Sequence, residues 1–545
     1  MTEIAATPAT PVTTEKARRR SPAQWFADQD KRELAVWGAL LALGLVVRFI
    51  ALGERAFHHD ESQDAYFSYL FRQTGDYEYN PLLHGPLRFY LTALMYVTFG
   101  DSDFTARLAP ALMGAAMIPL CWGLRSVIGR VAACAAAVFF AFGPSFLYFS
   151  RFAREDIYFA SLTLALIVVI WRGIDRPRKY HPALIGVLFA LLFGTKETMF
   201  ISLFAMGLFF IVALLLSIFV QSWRAQLIPA LVRPGVDGWG YFLAAFAGVF
   251  TLLFTTFLTH PSGLYDGVVT GLDYWLGQHE VGRGGEHPTF YWWIIATVEW
   301  PILILAGIGA VSLWSRNGML SAFLVFYFVV NLIVYAVAGE KFAWLVLHQL
   351  LPLILLAGVG VQAIWEARGV LRAAGLAFAA LAAVYLALSS WWVNHDRGTD
   401  PREFLVSTQS SEQVKQVADQ VLALAESRGP TQPPLTVTVD SAEGATFPYA
   451  WYFRHLQSGY IDYHQENAAP PTSDVLILTD TSKARMEAAG QLAPYDGRQF
   501  DFRIWWVREY DKINTPNPTN WFNYVTKREV WNPTGGMKEW LYIKR

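Results

Sequence analysis

MFISLFAMGLFFIVALLLSIFV, residues 199–220, contains no charged side chain and almost no polar one. As a helix rising 1.5 Å per residue it reaches about 33 Å, enough to cross a hydrocarbon core of ~30 Å. In lipid every backbone N–H and C=O must be paired within the chain, so such a run is read as a spanning helix. The same reading places further spans near 34–52, 105–124, 131–149, 157–171, 182–195, 238–258, 290–313, 320–338, 344–365 and 371–392, about eleven in all. Composition agrees: 54% of the chain is hydrophobic and only 16% is charged, against roughly 25% in soluble domains. The expected fold class is a polytopic α-helical membrane protein over residues 33–392. A cytosolic, disordered tail at 1–32, basic at Lys16 and Arg18–Arg20, would precede it. A C-terminal soluble α/β domain at 393–545 would follow it.

Composition also excludes some functions. The formal net charge is −1, so no basic surface for nucleic acid is evident. The two cysteines, Cys121 and Cys134, lie in or beside apolar runs, and form neither a disulfide framework nor a metal set. No His-x-x-x-His pair suggests zinc, and no GxxxxGK[ST] loop suggests an ATP-driven engine.

Segment 86–99, PLRFYLTALMYVTF, is short and carries Arg88, which suits a helix lying in the interface rather than crossing. With the N-terminus inside and 86–99 uncrossed, Arg125, Arg130, Arg172, Arg176, Arg178, Lys179, Arg224, Arg233, Arg316, Arg368 and Arg372 all fall in inside loops, the positive-inside pattern. The expected localisation is therefore a multi-pass cell membrane protein. Its N-terminus is cytosolic and its C-terminal domain extracytoplasmic.

This topology sends the unusual polar groups to the outer helix ends. They are His58, His59, Asp60, Glu61 and Asp64; His84 and Arg88; Arg151, Arg154, Glu155 and Asp156; Lys196 and Glu197; His279, Glu280, Glu286 and His287; and Glu340 and Lys341. Loops are polar anyway, but Lys196, Glu197, Glu340 and Lys341 sit in tight breaks between apolar runs, where charge is costly unless paired or wet. Together the clusters predict a polar chamber. Arg and Lys suit phosphate oxygens; the carboxylates suit Mg²⁺ or Mn²⁺, Asp156 being the candidate ligand.

The stretches FHHDESQDAYFSY, YNPLLHGPLRFY, SRFAREDIYF, LFGTKET, HPTFYWWII with EWP, and GEKFAWLVLHQLLPLILLAG resemble the membrane glycosyltransferases that use polyprenyl- or dolichyl-phosphate sugars. These GT-C-type enzymes include protein O-mannosyltransferases and aminoarabinose transferases. The resemblance is nearest to the bacterial and archaeal flippase activity-associated family. It implies an inverting hexosyl or pentosyl transfer from a polyprenyl-phosphate sugar to an extracytoplasmic protein, lipid or glycan. Asp60 would be the catalytic base, Glu61 its acidic neighbour, and Glu155 and Asp156 a second acidic motif near the donor phosphate. On that basis Arg154, Lys196 and Lys341 are expected to bind the phosphate, with His59, His84, Glu197, His279, Glu280, His287 and Glu340 as further candidates. Bland readings stand beside these. Asp60 could cap a helix beginning near Ser62, Lys196 and Lys341 could pair with the adjacent Glu, and His84 could merely turn the loop before Pro86. A lipid-linked sugar flippase or transporter, or a non-catalytic scaffold of envelope glycan assembly, would share the layout.

After residue 393 the pattern changes. SSEQVKQVADQVLALAES reads as an amphipathic helix, PPLTVTVDS, DVLILTD and FRIWWVREY as strands, and AWYFRHL as a short helix, together a partly parallel α/β domain. Aromatic residues at 448–452, with Trp505 and Trp506, read either as a glycan platform or as core.

Overall fold

The computed structural model describes residues 30–278, 286–429, 431–465, 468–509 and 517–545. Among them seven helices are long and apolar enough to cross a membrane: Leu108–Ile128, Asp156–Asp175, Met199–Leu216, Gly235–Phe254, Gly318–Val337, Ala343–Glu366 and Gly369–Asp396. Two bent pairs, Arg130–Phe142 with Pro144–Ser150 (55°) and Phe290–Thr297 with Trp300–Arg316 (92°), raise the number to at most nine. The difference from eleven has physical reasons. Helix Lys31–Phe49 opens on Lys31, Arg32 and Glu33 and carries Arg48, which cuts its apolar length. His181–Phe193 has 13 residues, about 20 Å of helix. Segment 86–99 forms Leu87–Phe99, also 13 residues, with Leu94, Val97 and Phe99 exposed.

Helix Ala343–Glu366 is the almost wholly buried axis of the bundle. It meets Trp300–Arg316 backbone to backbone. A Cβ on Gly309 would stand 1.8 Å from the Leu356 carbonyl oxygen, and one on Gly360 2.1 Å from that of Leu305. Association in lipid relies on such close packing through small residues. The two helix breaks brace each other. At the first, Arg48 donates to the carbonyls of Phe140 (2.9 Å) and Ala141 (3.0 Å), and the Ser145 N–H donates to Glu299, which sits at the second (2.9 Å). Backbone groups freed by the first bend are thereby satisfied.

The C-terminal domain is built on a six-stranded mixed sheet. Its strands are β1 (Gln409–Ser410), β2 (Thr436–Asp440), β3 (Gln457–Ile461), β4 (Val475–Thr479), β5 (Tyr495–Trp505) and β6 (Gly535–Lys544). Their spatial order is β1-β5-β6-β4-β2-β3. β2 runs parallel to β3 and β4, and the other pairs are antiparallel. The strands expected at PPLTVTVDS and DVLILTD and the helix Glu412–Ser427 are present; of FRIWWVREY only Phe502–Trp505 is strand, as the end of β5, and β1, β3 and β6 lie in stretches whose pattern did not announce them. The aromatic stretch at 448–452 is core: Tyr449, Trp451 and Tyr452 are buried. Trp451 packs on Phe57 (5.7 Å between centroids) and Tyr96 (5.8 Å). Those two rings belong to the membrane part, so the domain is seated directly on it. Arg454 to Asp101 (2.8 Å) and the Trp451 indole to Asp103 (2.8 Å) fasten the same contact.

Candidate active site

Helix His59–Thr74 carries the first acidic pair, and its own ends explain where the pair points. His58, not Asp60, is the N-cap: its Nδ1 accepts the Asp60 N–H at 3.0 Å, while Glu61 reaches back to the His58 N–H at 3.2 Å. This is a capping box with histidine in the usual Ser/Thr position, and it corrects the expectation that Asp60 caps the helix. Successive helical residues diverge by about 100°, so the two carboxylates part company. Glu61 is fully buried. Arg107 grips it with two bonds of 2.9 and 3.0 Å, Arg55 stands at 3.4 Å, and the Ala153 N–H donates at 2.8 Å. Burial alone would raise this carboxyl, but Arg107 and Arg55 hold it down at about 2. Its geometry is that of a brace tying the start of the His59–Thr74 helix to the loop at 151–155.

Asp60 keeps 23% of its side chain exposed and meets Arg154 at 3.1 Å. Burial again pushes upward; the Arg154 guanidinium, with His58 and His59, outweighs it and holds Asp60 below the ordinary carboxylate range. From here an unbroken row of charges runs inward. Arg154 meets Glu155 (3.0 Å), Glu155 meets Lys196 (3.0 Å), and Lys196 meets Asp156 (3.0 Å). Arg154 also lies over the Trp344 ring, 4.9 Å from its centroid. Glu155 further receives Arg88 at 2.7 Å and faces His84 at 3.4 Å. These cations hold it well below its ordinary value although burial opposes them. Lys196 is lifted above its ordinary value: burial would lower it, but Asp156 and Glu155 prevail.

The structure therefore brings together Asp60, Arg154, Glu155, Asp156 and Lys196 from three separate stretches of chain. Lys196 pairs with Glu155 and Asp156 rather than with its neighbour Glu197. Glu197 instead binds His84 at 2.7 Å and the Tyr79 hydroxyl at 3.1 Å. His84, at φ +60°, is also stacked on Trp275 at 4.8 Å. It is more than a turn residue. Lys341 donates to the Ala338 carbonyl at 2.6 Å; among the described residues no carboxylate lies within ion-pair reach of it. His59 takes the Arg503 guanidinium on Nδ1 at 2.7 Å. His287 bonds the Thr289 hydroxyl at 2.9 Å and is not brought to the charged row. His279 and Glu280 lie outside the described residues. Sequence reasoning missed Arg107, His348 and Arg503; His348 stands 3.8 Å from Asp156.

A cavity of about 560 Å³ opens beside this row. Its polar end is formed by Lys196, His84, Glu197 and Glu340, and the rest by Trp275, Ile201, Ile333, Val337 and other apolar side chains. Ile333, Val337 and Leu276 are also heavily exposed on the bundle's outer surface, so the cavity communicates with the face that lipid would cover. Among the described residues no group of three or more His, Cys, Asp or Glu could hold a metal ion. Lys196 sits on Asp156, and a divalent cation there would have to displace it.

The family model "Dolichyl-phosphate-mannose-protein mannosyltransferase" matches residues 83–233. That stretch holds His84, Arg154, Glu155, Asp156 and Lys196, but not Asp60 or Lys341. Among curated proteins none matches the chain. Solved structures do. ArnT from Cupriavidus metallidurans in the apo state is 15% identical, covers 84% of this chain and 95% of its own, and has a TM-score of 0.57. The same protein bound to undecaprenyl phosphate gives 15%, 86%, 95% and 0.53. The archaeal oligosaccharyltransferase AglB from Archaeoglobus fulgidus, in complex with an inhibitory peptide and a dolichol-phosphate, is 14% identical, covers 79% and 64%, and scores 0.50. At these identities the likeness speaks for architecture alone: the chain has the GT-C fold, which it shares with these structures.

Proposed function

We propose that the chain is an inverting glycosyltransferase. It moves a sugar from a polyprenyl-phosphate donor to an extracytoplasmic acceptor at the outer face of the cell membrane. The observation that carries this reading is the cavity with an apolar length and a polar end at which Lys196 stands, linked through Glu155 by two ion pairs to Arg154 and so to Asp60. Isoprenoid chain suits the Ile333–Val337 side, and phosphate oxygens suit Lys196, with Lys341 next to the lining residue Glu340 and without an ion pair among the described residues. A solved relative of the same fold, ArnT, has been captured with undecaprenyl phosphate, which supports this class of ligand.

Inverting substitution at an anomeric carbon needs a base on one side and a stabilised leaving group on the other. Asp60 is ionised and partly open, able to accept the acceptor's hydroxyl proton. While Arg154 rests on it, it is a weak base. A phosphate arriving beside Lys196 competes for Arg154, and as the guanidinium turns towards it Asp60 gains basicity. Arg154 and Lys196 then meet the charge that grows on the departing phosphate. Glu61 acts by position, holding the His59–Thr74 helix against the loop at 151–155. Glu155 and Asp156 hold the cations in place.

The test is full-length protein in detergent with a panel of polyprenyl-phosphate sugars, scoring release of polyprenyl phosphate. Release in detergent is expected. Sugar-lipid translocation in sealed vesicles with no release in either setting would replace this reading by that of a flippase.

A further inference from the structure

A second cavity, about 430 Å³, is lined by residues that contact His58 and His59. It is walled by the loop at 406–408 and by the end of β5 with the residues following it. It touches the first outer loop at two points: the His58 Nε2 bonds the Ser407 carbonyl at 3.0 Å, and Arg503 bonds His59 Nδ1 at 2.7 Å. Because guanidinium only donates, His59 Nδ1 is the acceptor in that contact, and with the Gln63 amide facing Nε2 at 3.1 Å the ring beside Asp60 is held between the soluble domain and its own helix.

The lining is chemically distinctive. Arg508 is neutralised by Glu286. Arg503 is not: it bonds the carbonyls of Gly444 (2.7 Å) and Phe447 (3.4 Å), and no carboxylate among the described residues lies within ion-pair distance. Its Nε is buried without a partner. The hydroxyls of Ser407 and Thr408 make no hydrogen bond among the described residues, and the Trp505 ring forms part of the wall. A fork-shaped cation without an ion pair among the described residues, hydroxyls without a hydrogen bond among them and an indole beside them match a ring rich in hydroxyl groups that also bears an anionic group.

Resting on the transferase reading, we infer that this cavity is the acceptor subsite. Its acceptor is a saccharide carrying a carboxylate or a phosphate, with Arg503 on the anionic group and Trp505 against the ring. Filling the site loads Arg503 and thereby the His59 ring, so acceptor arrival is communicated to the residue next to Asp60.

The experiment is equilibrium binding to full-length protein in detergent, without donor. The probes are a galacturonate trimer, mannose 6-phosphate, a neutral malto-trisaccharide, and a Ser/Thr-rich peptide. At least one anionic sugar should bind roughly tenfold or more tightly than the neutral one, with an advantage that shrinks as salt is raised. Arg503→Gln should erase that advantage, Arg503→Lys should restore part of it, and Trp505→Ala should weaken anionic and neutral sugars alike. Equal binding of charged and neutral sugars, indifference to Arg503→Gln in folded protein, or binding of the peptide alone would overturn the proposal. Should Arg503→Gln not fold, an unaltered affinity in Trp505→Ala overturns it as well. Release of polyprenyl phosphate, measured on the same sample, separates the two ideas. Absent release with anionic-sugar binding intact removes the transferase reading, whereas release without such binding removes this one.

Discussion

Replacing Asp60 with asparagine separates chemistry from architecture, and the structure supplies both magnitudes. On the structural side little is lost. The helix is capped by His58, so the cap survives. The one ion pair removed, to Arg154 at 3.1 Å, involves a side chain 23% exposed, and Arg154 keeps Glu155 at 3.0 Å. A partly exposed pair of this kind contributes about 1 kcal/mol. On the chemical side, an amide cannot accept a proton at neutral pH, and loss of a positioned general base lowers turnover by roughly 10²–10⁴-fold. That corresponds to ~2.7–5.4 kcal/mol on the barrier, several times the structural loss. The assay is release of polyprenyl phosphate by purified Asp60→Asn protein beside its melting curve. The expected result is collapsed turnover with nearly unchanged melting. Turnover at the wild-type level would remove Asp60 from the reaction. A collapse of melting would refute the premise that His58 holds this helix end without it.

Further outcomes follow from the geometry. Lys341→Met removes a cation that has no ion pair among the described residues, so melting should hold while affinity for a polyprenyl phosphate falls by about 1.5–3 kcal/mol. Lys196→Met uncovers two buried carboxylates, so it should lower both, with about 3 kcal/mol of stability lost; identical melting of the two variants would contradict the assigned pairings. Ile333→Trp, at the exposed rim of the larger cavity, should weaken lipid binding and leave melting alone, and undiminished binding would place the lipid elsewhere. Burial, only partly offset by Asp60, depresses His59 to about 4. Between pH 6.5 and 4 the unfolded chain then binds a proton that the folded chain refuses, and stability falls with falling pH by at most ~3 kcal/mol. His59→Gln should flatten that slope in melting curves taken from pH 7 to 4.5, and an unchanged slope would exclude His59 as its source. Orientation is read by cysteine labelling in a background without Cys121 and Cys134. A cysteine at Arg176, 75% exposed, should react only from the cytosolic side, and one at Phe522, 65% exposed, only from outside. Gly129 is a poor reporter, because a Cβ there would meet Gln362 at 2.0 Å.

The spanning helices and the acidic pairs are legible in the sequence because charge abutting an apolar run is costly wherever it occurs, and that cost is local. Partners are not local. Asp60 and Glu61 are adjacent letters with opposite roles, and only the helix phase and the positions of Arg154 and Arg107 decide which one is free. Arg107 lies within a stretch that reads as span, where it resembles a snorkelling end residue. Arg503 reaches His59 across 444 positions, and nothing in the stretch FRIWWVREY announces where its side chains go. Helix breaks are half legible: Gly143–Pro144 marks one, but its depth follows from Arg48 and Glu299, which satisfy the backbone that the bend exposes. β6 escapes notice because its opening Gly535–Gly536 disfavours a strand, and neighbours on both edges override that preference.

The position of β6 also sets a timetable for the newborn chain. Although β6 is translated after the other five strands, it sits between β5 and β4, and until residue 544 has emerged those two strands face each other across a gap with unpaired edges. The membrane helices are made long before. A growing polypeptide thus acquires its lipid-facing groove well ahead of a finished wall around Arg503, and the two halves of the chamber are separated at birth by the time needed to translate the domain. A ribosome that stalls within β6 would leave a molecule whose membrane helices are made but whose sheet beside His59 is not closed, with strand edges exposed.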